Sequence, residues 1–360
     1  MKYVLSPLLL LLIYCGSAPT SATKEIEVSF DNKNVYYEGR VAKNKDIGAA
    51  EIYWPGSSVS LQFEGMSISA ILDDEKGENY FTVVVDGLET SVLHLSKGKK
   101  QYVLADSLAK GKHIVELHKR NDWGYGKTLF YGYEVAGDKT FPLETKKMFI
   151  ELYGDSITVG YANEVTSGKD RSTGDVTNNY SAYGAVTARN LNAEYSCIAH
   201  SGIGIMVSWH DLIMSEEYDR FDPSDATIRW DFTKKQPDVV VINLFQNDSW
   251  LIKMKNNNQF KKRFGTVAPT KEQLIINYVT FVKTIRSKYA NAKIICMLGN
   301  MDITRQGSVW PGYVKEAVAE IDDVNIYSVF VPYKNSTGHP KVNEQKIIAN
   351  KLTAFIQSVN

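Results

Sequence analysis

The sequence predicts two domains, an N-terminal β-sandwich or jelly roll followed by a three-layer α/β domain with a parallel sheet. A chain of 360 residues is long for a single core. Short strand patterns without helices fill residues 26–136, and apolar strands alternate with helical patterns from Met148 onward. We therefore expect a leader at residues 1–22, the β-domain at 24–142 and the α/β domain at 146–360.

The strand patterns of the first domain alternate between apolar and polar residues. "SVSLQF" places Val59, Leu61 and Phe63 on one face, and "KHIVELHK" places Val115 and Leu117 on one face. "YFTVVVDG" ends in an Asp-Gly turn, which is typical of a hairpin. Regular strands without intervening helices predict a sandwich or jelly roll.

The second domain has strands that are apolar throughout, namely "MFIELY", "AEYSCIA", "PDVVVINL", "AKIICML" and "VNIYSVFV". Helical patterns separate these strands, which indicates a parallel sheet covered on both faces. Ligands of such sheets bind beyond the carboxyl ends of the strands, so reactive residues are expected there.

The first 22 residues are typical of an export signal. One Lys precedes an apolar run that is too short to span a bilayer comfortably, and small residues follow up to Ala22. Cleavage near Ala22 is the favoured outcome; lipidation at Cys15 is the alternative, although Tyr14 is bulky for a residue before a lipoprotein Cys. We expect a secreted or periplasmic protein, with anchoring through Cys15 as the alternative, and no transmembrane segment in the mature chain.

The charge balance argues against a nucleic-acid or anionic-lipid partner. Lys and Arg total 41, as do Asp and Glu, so the chain has no net charge and no basic footprint. Cys197 and Cys296 both lie in apolar strand-like runs, where free buried cysteines are common. We expect neither a disulfide framework nor a Cys-rich zinc site.

Four strand ends carry residues that suit ester hydrolysis. Ser156 follows the first strand of the second domain, Gly202 the second, Asn247 the third and His339 the last. A serine hydroxyl needs a base, and His339 is the only histidine at such an edge directly before a helix. The Ser156 N–H, the Gly202 N–H and the Asn247 amide can donate to an oxyanion. An ordinary helix cap is the alternative interpretation of Ser156.

These residues, in "GDS", "SG", "ND" and "HP", resemble the SGNH (GDSL) hydrolases. The upstream "IYWPGSSVSLQFEGMSISAIL", "YFTVVVDG" and "HKRNDWGYGKTLFYGYEV" resemble the N-terminal β-domain of carbohydrate esterase family 2. With "GDSITVGY" and "SAYGAVTARNL", the similarity covers nearly the whole mature chain.

The resemblance implies a serine esterase that removes O-acetyl groups from plant cell-wall polysaccharide, such as acetylated xylan or glucomannan, often at the 6-position. Ser156 would be the nucleophile, His339 the base and then the acid, and Ser156, Gly202 and Asn247 the oxyanion donors. No metal or cofactor is implied, the partner is the acetylated glycan, and we expect a monomer. The alternatives are an SGNH esterase for peptidoglycan, sialic-acid or lipid acyl groups, and an inactive glycan-binding protein.

Two positions depart from the superfamily pattern. Most relatives have an Asp three residues before the His, where it orients the imidazole, and here this position is Ser336. A backbone carbonyl or another side chain must then hold His339. Phe245 and Gln246 stand where relatives commonly have Gly-Thr, and we expect them to add bulk beside the oxyanion hole.

Four tryptophans have two interpretations each. Trp250 and Trp310 follow the third and fourth strands on the ligand side, where an indole face can stack on a sugar; ordinary packing is an equal alternative. Trp54 and Trp123 belong to the β-domain, and we expect core or interdomain contacts for both.

Other polar residues near the strand ends favour structural roles. We expect His200 to be structural because no acid partner accompanies it in the sequence. Asp155 and Asp248 suit capping and loop-holding better than acid catalysis. The turn-rich segment 163–179 is either a solvated excursion or a loop that borders the site.

Overall fold

A computed structural model describes residues 24–171 and 173–359 of the chain. The expected leader, with its two alternatives at Ala22 and Cys15, lies outside the described residues. Within the described ranges, no helix combines the length and the apolar character that crossing a membrane requires.

The alternating strands of the first domain form one antiparallel sheet. The strands are β1 (Glu25–Ser29), β2 (Val35–Glu38), β3 (Val41–Asn44), β4 (Ala49–Ile52), β5 (Ser58–Asp74), β6 (Tyr80–Val85), β7 (Leu88–His94), β8 (Gly98–Ala105), β9 (Lys112–Lys119) and β10 (Thr128–Phe141). The path through the sheet runs β3-β4-β10-β5-β9-β6-β7, while β1 pairs with β10 and β2 and β8 pair with β5.

The long strand β5 explains how this sheet encloses a core. Its first half pairs with β2 and β9, and its second half pairs with β8 and β10. Val59, Leu61 and Phe63 are fully buried, and Val59 and Leu61 lie opposite Leu117 and Val115 of β9. The alternation in the sequence therefore reports the buried face correctly, and the antiparallel β-domain is confirmed.

The apolar strands of the second domain form a parallel sheet with helices on both faces. The strands are β11 (Met148–Gly154), β12 (Ala193–Ala199), β13 (Val239–Asn243), β14 (Lys293–Leu298) and β15 (Ile326–Phe330). The helices are α1 (Ser156–Val159), α2 (Tyr183–Asn190), α3 (Met214–Glu217), α4 (Gln246–Leu251), α5 (Asn258–Phe264), α6 (Lys271–Lys288), α7 (Trp310–Ile321) and α8 (Val342–Val359). One apolar cluster joins α2 and α8 to the sheet, and another joins α6 and α7 to it.

The strand order β12-β11-β13-β14-β15 places the site. The chain passes from β11 to β12 on one side and then returns to β13 on the other side of β11. Loops diverge at such a reversal and leave a crevice at the carboxyl ends of the strands. The segments that carry Ser156, Gly202 and Asn247 follow these three strands.

The two domains share a polar and aromatic interface. Trp54 is fully buried, and its Nε1–H donates to the Phe221 carbonyl at 3.1 Å. Trp123 lies in the turn after β9, and its Nε1–H donates to Glu217 at 2.9 Å. Both tryptophans therefore make the expected interdomain contacts. Within the parallel sheet, Cys197 and Cys296 are free and buried, also as expected.

Candidate active site

Ser156 begins the one-turn helix α1 directly after β11. Asp155, not Ser156, caps this helix, because Asp155 Oδ1 accepts the Ile157 N–H at 2.9 Å. A Cβ on Gly154 would lie 2.0 Å from Thr158 Oγ1, so only glycine allows the helix to turn back this closely. The Ser156 hydroxyl therefore does not cap the helix, and it lies at the carboxyl edge of the sheet.

His339 lies within hydrogen-bond distance of Ser156 and of a third residue. Its Nε2 is 2.8 Å from Ser156 Oγ, and its Nδ1 is 2.7 Å from Asp170 Oδ2. The same carboxylate oxygen accepts the His339 backbone N–H at 2.6 Å. Because a carboxylate only accepts, Nδ1 carries the proton and Nε2 is left to accept from the serine hydroxyl.

Asp170 lies in segment 163–179, which we call the acid loop and which therefore borders the site. Lys341 Nζ donates to Asp170 Oδ1 at 2.7 Å and to the Ala162 carbonyl at 2.9 Å. Partial burial alone would raise the pKa of Asp170, but hydrogen bonds from His339 and Lys341 outweigh it and hold this pKa well below its usual range. Asp170 is therefore a carboxylate at neutral pH.

The loop before α8 fits closely around this carboxylate. Gly338 has a φ of +71°, and a Cβ there would lie 2.7 Å from Asp170 Oδ1. A side chain at position 338 would therefore displace the carboxylate or strain the backbone. Tyr161 also contacts the imidazole, with ring centroids 4.6 Å apart.

Asn247 is held in one orientation beside the strand ends. Its Nδ2 donates to the Ile203 carbonyl at 2.8 Å and lies 3.5 Å from Asp155 Oδ2. Its Oδ1 accepts the Trp209 Nε1–H at 3.0 Å. An indole nitrogen is only a donor, so the Asn247 oxygen must face Trp209. The amide nitrogen then faces Asp155 and Ile203, which are the chain neighbours of Ser156 and Gly202.

Gly202 has a φ of +90°, in the left-handed region that glycine adopts readily. Its carbonyl accepts the Trp209 backbone N–H at 3.0 Å. Trp209 thus contacts both residues that the sequence predicts as oxyanion donors after β12 and β13. Its side chain is 47% exposed, so the indole also faces solvent at the site. No motif in the sequence pointed to Trp209.

The carboxylate, imidazole and hydroxyl form a continuous hydrogen-bonded chain. Such a chain can take the serine proton onto Nε2 and stabilise the imidazolium that results. The predicted oxyanion donors lie on the adjacent strand ends, as acyl transfer requires. Across residues 24–171 and 173–359, no group of three or more His, Cys, Asp or Glu is arranged to hold a metal.

The family model for the carbohydrate esterase 2 N-terminal region matches residues 37–143. An acetylxylan esterase / glucomannan deacetylase of Cellvibrio japonicus is 30% identical over 84% of this chain and 84% of its own length. A family two carbohydrate esterase from Clostridium thermocellum, solved in complex with cellohexaose, is 31% identical over 90% of this chain and 98% of that one, with a TM-score of 0.80. The chain belongs to carbohydrate esterase family 2.

A further curated relative of this family 2 esterase is the cellulase/esterase CelE of Acetivibrio thermocellus. The two are 33% identical over 344 residues, which is 91% of this chain. The chain spans 40% of the length of CelE, so the similarity covers one part of a larger protein. The predicted resemblance to family 2 within the SGNH hydrolases is confirmed.

Ser336 does not stand in for the acid that most SGNH hydrolases carry there. Its hydroxyl donates to Glu344 and accepts from Lys334 Nζ at 2.6 Å. In this family 2 esterase the imidazole of His339 is instead held by Asp170, a side chain from a distant loop. Of the two possibilities left open by the sequence, another side chain replaces the missing Asp, and a backbone carbonyl does not.

The expectation that Phe245 adds bulk beside the oxyanion hole is wrong. The Phe245 ring is fully buried and packs on Tyr278 and Trp310, with centroids 4.7 and 5.1 Å apart. Its φ of +84° is a conformation that bulky residues rarely adopt, and it turns the ring into the core. Gln246 is buried as well, and its amide donates to Asp302 at 2.9 Å.

The two acids that flank the site hold loops, as predicted. Asp248 accepts the N–H groups of Ile205, Met206 and Val207. Burial raises the pKa of Asp155 to about 7 and that of Asp248 to about 6. Burial therefore disfavours the charged form of both carboxyl groups, and their roles are the cap of α1 and the shape of the loop after Gly202.

His200 has a structural role, although the expectation that it lacks an acid partner was wrong. Its Nδ1 lies 3.1 Å from Glu217 of α3, so it does have an acid partner. Its ring stacks on His210 at 3.9 Å and contacts Trp123 at 4.8 Å. Burial alone would lower the pKa of His200, but Glu217 outweighs burial and raises it.

Trp250 and Trp310, for which sugar stacking and ordinary packing were equal alternatives, differ in their surroundings. Trp250 is half-buried and lines a groove with Tyr333 and Gly338, the residue that precedes His339 in the chain. Trp310 is 5% exposed and packs in the core. Its ring faces are therefore covered, and packing, the alternative, describes Trp310.

Proposed function

We propose that this chain is a serine esterase that hydrolyses O-acetyl groups on plant cell-wall polysaccharide, with acetylated xylan and glucomannan as substrates and the 6-O position as a candidate. The observation that carries the proposal is the 2.8 Å contact between Ser156 Oγ and His339 Nε2, with Asp170 on the other ring nitrogen. The relative from Cellvibrio japonicus, named acetylxylan esterase / glucomannan deacetylase, supports the substrate class.

In the first half of the reaction, Ser156 Oγ attacks the acetyl carbonyl carbon while its proton moves to His339 Nε2. Asp170 accepts from Nδ1 and stabilises the imidazolium that forms. The negative oxygen of the tetrahedral intermediate is bound by the Ser156 N–H, the Gly202 N–H and the Asn247 amide. The imidazolium then protonates the sugar oxygen, the C–O bond breaks, and the deacetylated sugar leaves an acetyl-enzyme.

In the second half, a water molecule attacks the acetyl-enzyme. His339 takes the water proton and returns it to Ser156 Oγ as the acyl bond breaks, so the products are acetate and free enzyme. The same oxyanion donors serve both halves, because the two tetrahedral intermediates place their negative oxygen in the same position.

The setting of this activity is part of the proposal. Residues 1–22 act as an export signal, with lipidation at Cys15 as the alternative, and the protein works as a secreted monomer. Residues 24–142 form the β-domain and residues 146–360 the SGNH hydrolase domain. The groove lined by Trp250 and Gly338, the residue before His339, supports binding of a sugar chain near the reacting ester.

Binding of an unsubstituted β-glucan is a second candidate function. It is supported by the 31% identical family two esterase that was solved in complex with cellohexaose. A chain bound in the Trp250 groove would lie against Gly338, the residue before His339, whether or not it carried an acetyl group. Hydrolysis and glycan binding would then use the same surface.

The deciding experiment measures acetate release across a panel of acetylated xylan, glucomannan, peptidoglycan and sialic acid. Wild type and Ser156→Ala are compared, and a series of esters with longer acyl chains tests the size of the acyl pocket. We expect release from xylan or glucomannan that Ser156→Ala abolishes. A Ser156→Ala protein as fast as wild type would refute the mechanism, and preference for another acyl substrate would refute the proposed substrate class.

A further inference from the structure

The acid loop has an outgoing arm and a returning arm, and hydrogen bonds join the two arms at the base of the loop. The Glu164 N–H donates to the Val176 carbonyl at 3.1 Å, which joins the outgoing and returning arms. Asn163 and Asn178 exchange hydrogen bonds of 2.8 and 3.0 Å at the same level. The tip of the loop, with Asp170, extends beyond this base toward His339.

Arg120 of the β-domain bonds both arms of this loop. It follows β9 and is fully buried. On the outgoing arm it pairs with Glu164. On the returning arm its Nε–H donates to the Thr177 carbonyl at 3.2 Å and its Nη2 to the Asp175 carbonyl at 3.3 Å. Its Nη1 donates to Thr82 Oγ1 at 3.2 Å, and this bond connects the guanidinium to strand β6.

The returning arm also rests directly on the β-domain. A Cβ on Gly174 would lie 2.4 Å from the Tyr80 ring, so glycine permits this close approach. The Asn179 N–H donates to the Arg120 carbonyl at 3.0 Å. Side-chain and backbone atoms of the β-domain thus fix residues on both sides of the loop tip.

Fixing both arms matters because order in a loop is costly. Each residue held in one backbone conformation loses conformational entropy, which opposes the ordering of the loop. With Glu164 and Asp175 bonded to one rigid guanidinium, the span that must order around Asp170 is shorter than the whole excursion. Charge-assisted bonds of a planar guanidinium are strong and directional, and lysine cannot reproduce all of them.

We infer that Arg120 is a positioning residue that holds Asp170 against His339, so that the β-domain takes part in catalysis through the acid loop. This inference rests on the proposed function, since it presupposes that His339 acts as the base. It assigns the β-domain an effect on the chemical step in addition to any contact with glycan.

The test is a double-mutant cycle between Arg120→Lys and Asp170→Asn, with kcat and KM measured on a small acetate ester and thermal melting measured for each protein. We expect Arg120→Lys to lower kcat about tenfold with KM unchanged, and to have an effect of less than about twofold in the Asp170→Asn background. Glu164→Gln removes the negative charge that pairs with Arg120, and Glu164 is the more exposed member of this pair. It should lower kcat about threefold with KM unchanged, and it should have little effect in the Asp170→Asn background.

Arg40→Lys is the matched control. Arg40 is also a fully buried β-domain arginine, and its partners include Glu151 and Tyr153 of β11, which lie outside the acid loop. We expect Arg40→Lys to lower the melting temperature while kcat stays within about twofold of wild type.

Several results would overturn the inference. One is a loss of kcat in Arg120→Lys that is equally large in the Asp170→Asn background; another is a change in KM alone. Full activity of folded Arg120→Lys and Glu164→Gln would also overturn the inference. So would full activity of Asp170→Asn. If Arg120→Lys fails to fold, Glu164→Gln decides. Acetate release by Ser156→Ala judges the proposed function separately, so the two can fail independently.

Discussion

Asp170 Oδ2 lies 2.7 Å from His339 Nδ1, although the two residues are 169 positions apart in the chain. The same oxygen accepts the backbone N–H of His339, and the other carboxylate oxygen accepts from Lys341. The carboxylate therefore fixes both the ring and the backbone of the histidine. The SGNH pattern lacks its usual acid at Ser336, yet a carboxylate from another segment holds the imidazole.

Asp170→Asn should lower kcat by about two to four orders of magnitude, because the imidazolium loses its counter-charge and the ring can adopt the wrong tautomer. KM for a small acetate ester should change little, since Asp170 contacts His339 and not the substrate in the proposed mechanism. Steady-state kinetics at fixed pH would measure both constants.

Ser336→Ala is the natural control for that measurement. The Ser336 hydroxyl bonds Glu344 and Lys334, so its loss should leave kcat within about twofold of wild type. A large loss in Ser336→Ala together with a small one in Asp170→Asn would contradict the assignment of the acid.

Trp209→Phe keeps an aromatic ring but removes the N–H that orients Asn247. We expect kcat to fall about three- to tenfold, because Asn247 can then rotate and lose its aim at the oxyanion. Asn247→Ala should lower kcat more, and Trp209→Phe should add nothing in that background. Additive losses on a small acetate ester would show that Trp209 acts by another route, such as contact with the substrate.

The raised pKa of Asp155 predicts that the free energy of unfolding depends on pH. Its folded pKa is raised by burial to about 7, so the folded state prefers the protonated form and stability is lost as pH rises from about 4 to about 7. The shift corresponds to a loss on the order of 4 kcal/mol across that range.

Urea unfolding between pH 5 and 8 would measure this dependence in wild type and Asp155→Asn. The asparagine of the variant would keep a side-chain oxygen for the cap of α1 but cannot ionise. We therefore expect the free energy of unfolding of the variant to fall less steeply with pH than that of wild type. Parallel curves would mean that Asp155 does not titrate in this range.

Trp250 and Trp310 should separate binding from packing. Trp250→Ala is expected to raise KM for an acetylated oligosaccharide about three- to tenfold, in keeping with the loss of one aromatic contact, while KM for a small acetate ester stays unchanged. Trp310→Ala should instead destabilise the protein by about 3–5 kcal/mol, since it opens a cavity in the core. Equal effects of Trp250→Ala on both substrates would argue against a sugar-binding groove.

Much of the architecture could be predicted because local patterns report burial. Alternation at Val59, Leu61 and Phe63 identified a strand with one buried face, and the uniformly apolar strands after Met148 identified a sheet covered on both faces. The carboxyl-edge rule then brought residues from separate strands together, and it placed His339 beside Ser156.

The acid could not be predicted because it depends on a loop. Segment 163–179 has no apolar periodicity and contains three acidic residues, Glu164, Asp170 and Asp175. Nothing local distinguishes the one that meets His339 from the one that meets Arg120. The choice is made by contacts with the β-domain and with the loop before α8, which are distant in sequence.

Phe245 was misjudged for a different reason. The sequence gives side-chain volume but not the backbone dihedral that aims it. A φ of +84° sends the ring into the core, and glycine in relatives is understandable at a position with this backbone. Volume next to a motif is therefore a weak guide to the shape of a site.

The acid loop lies between α1 and α2, and connections of this kind tolerate insertion and deletion without disturbing the sheet. In the proposed mechanism the carboxylate is thus a portable part of the catalytic centre, whereas Ser156 and His339 follow the ends of strands. Evolution can move such a part from one loop to another and leave the chemistry intact. In other sequences of this fold, a missing Asp near the histidine would then be no sign of a two-residue mechanism.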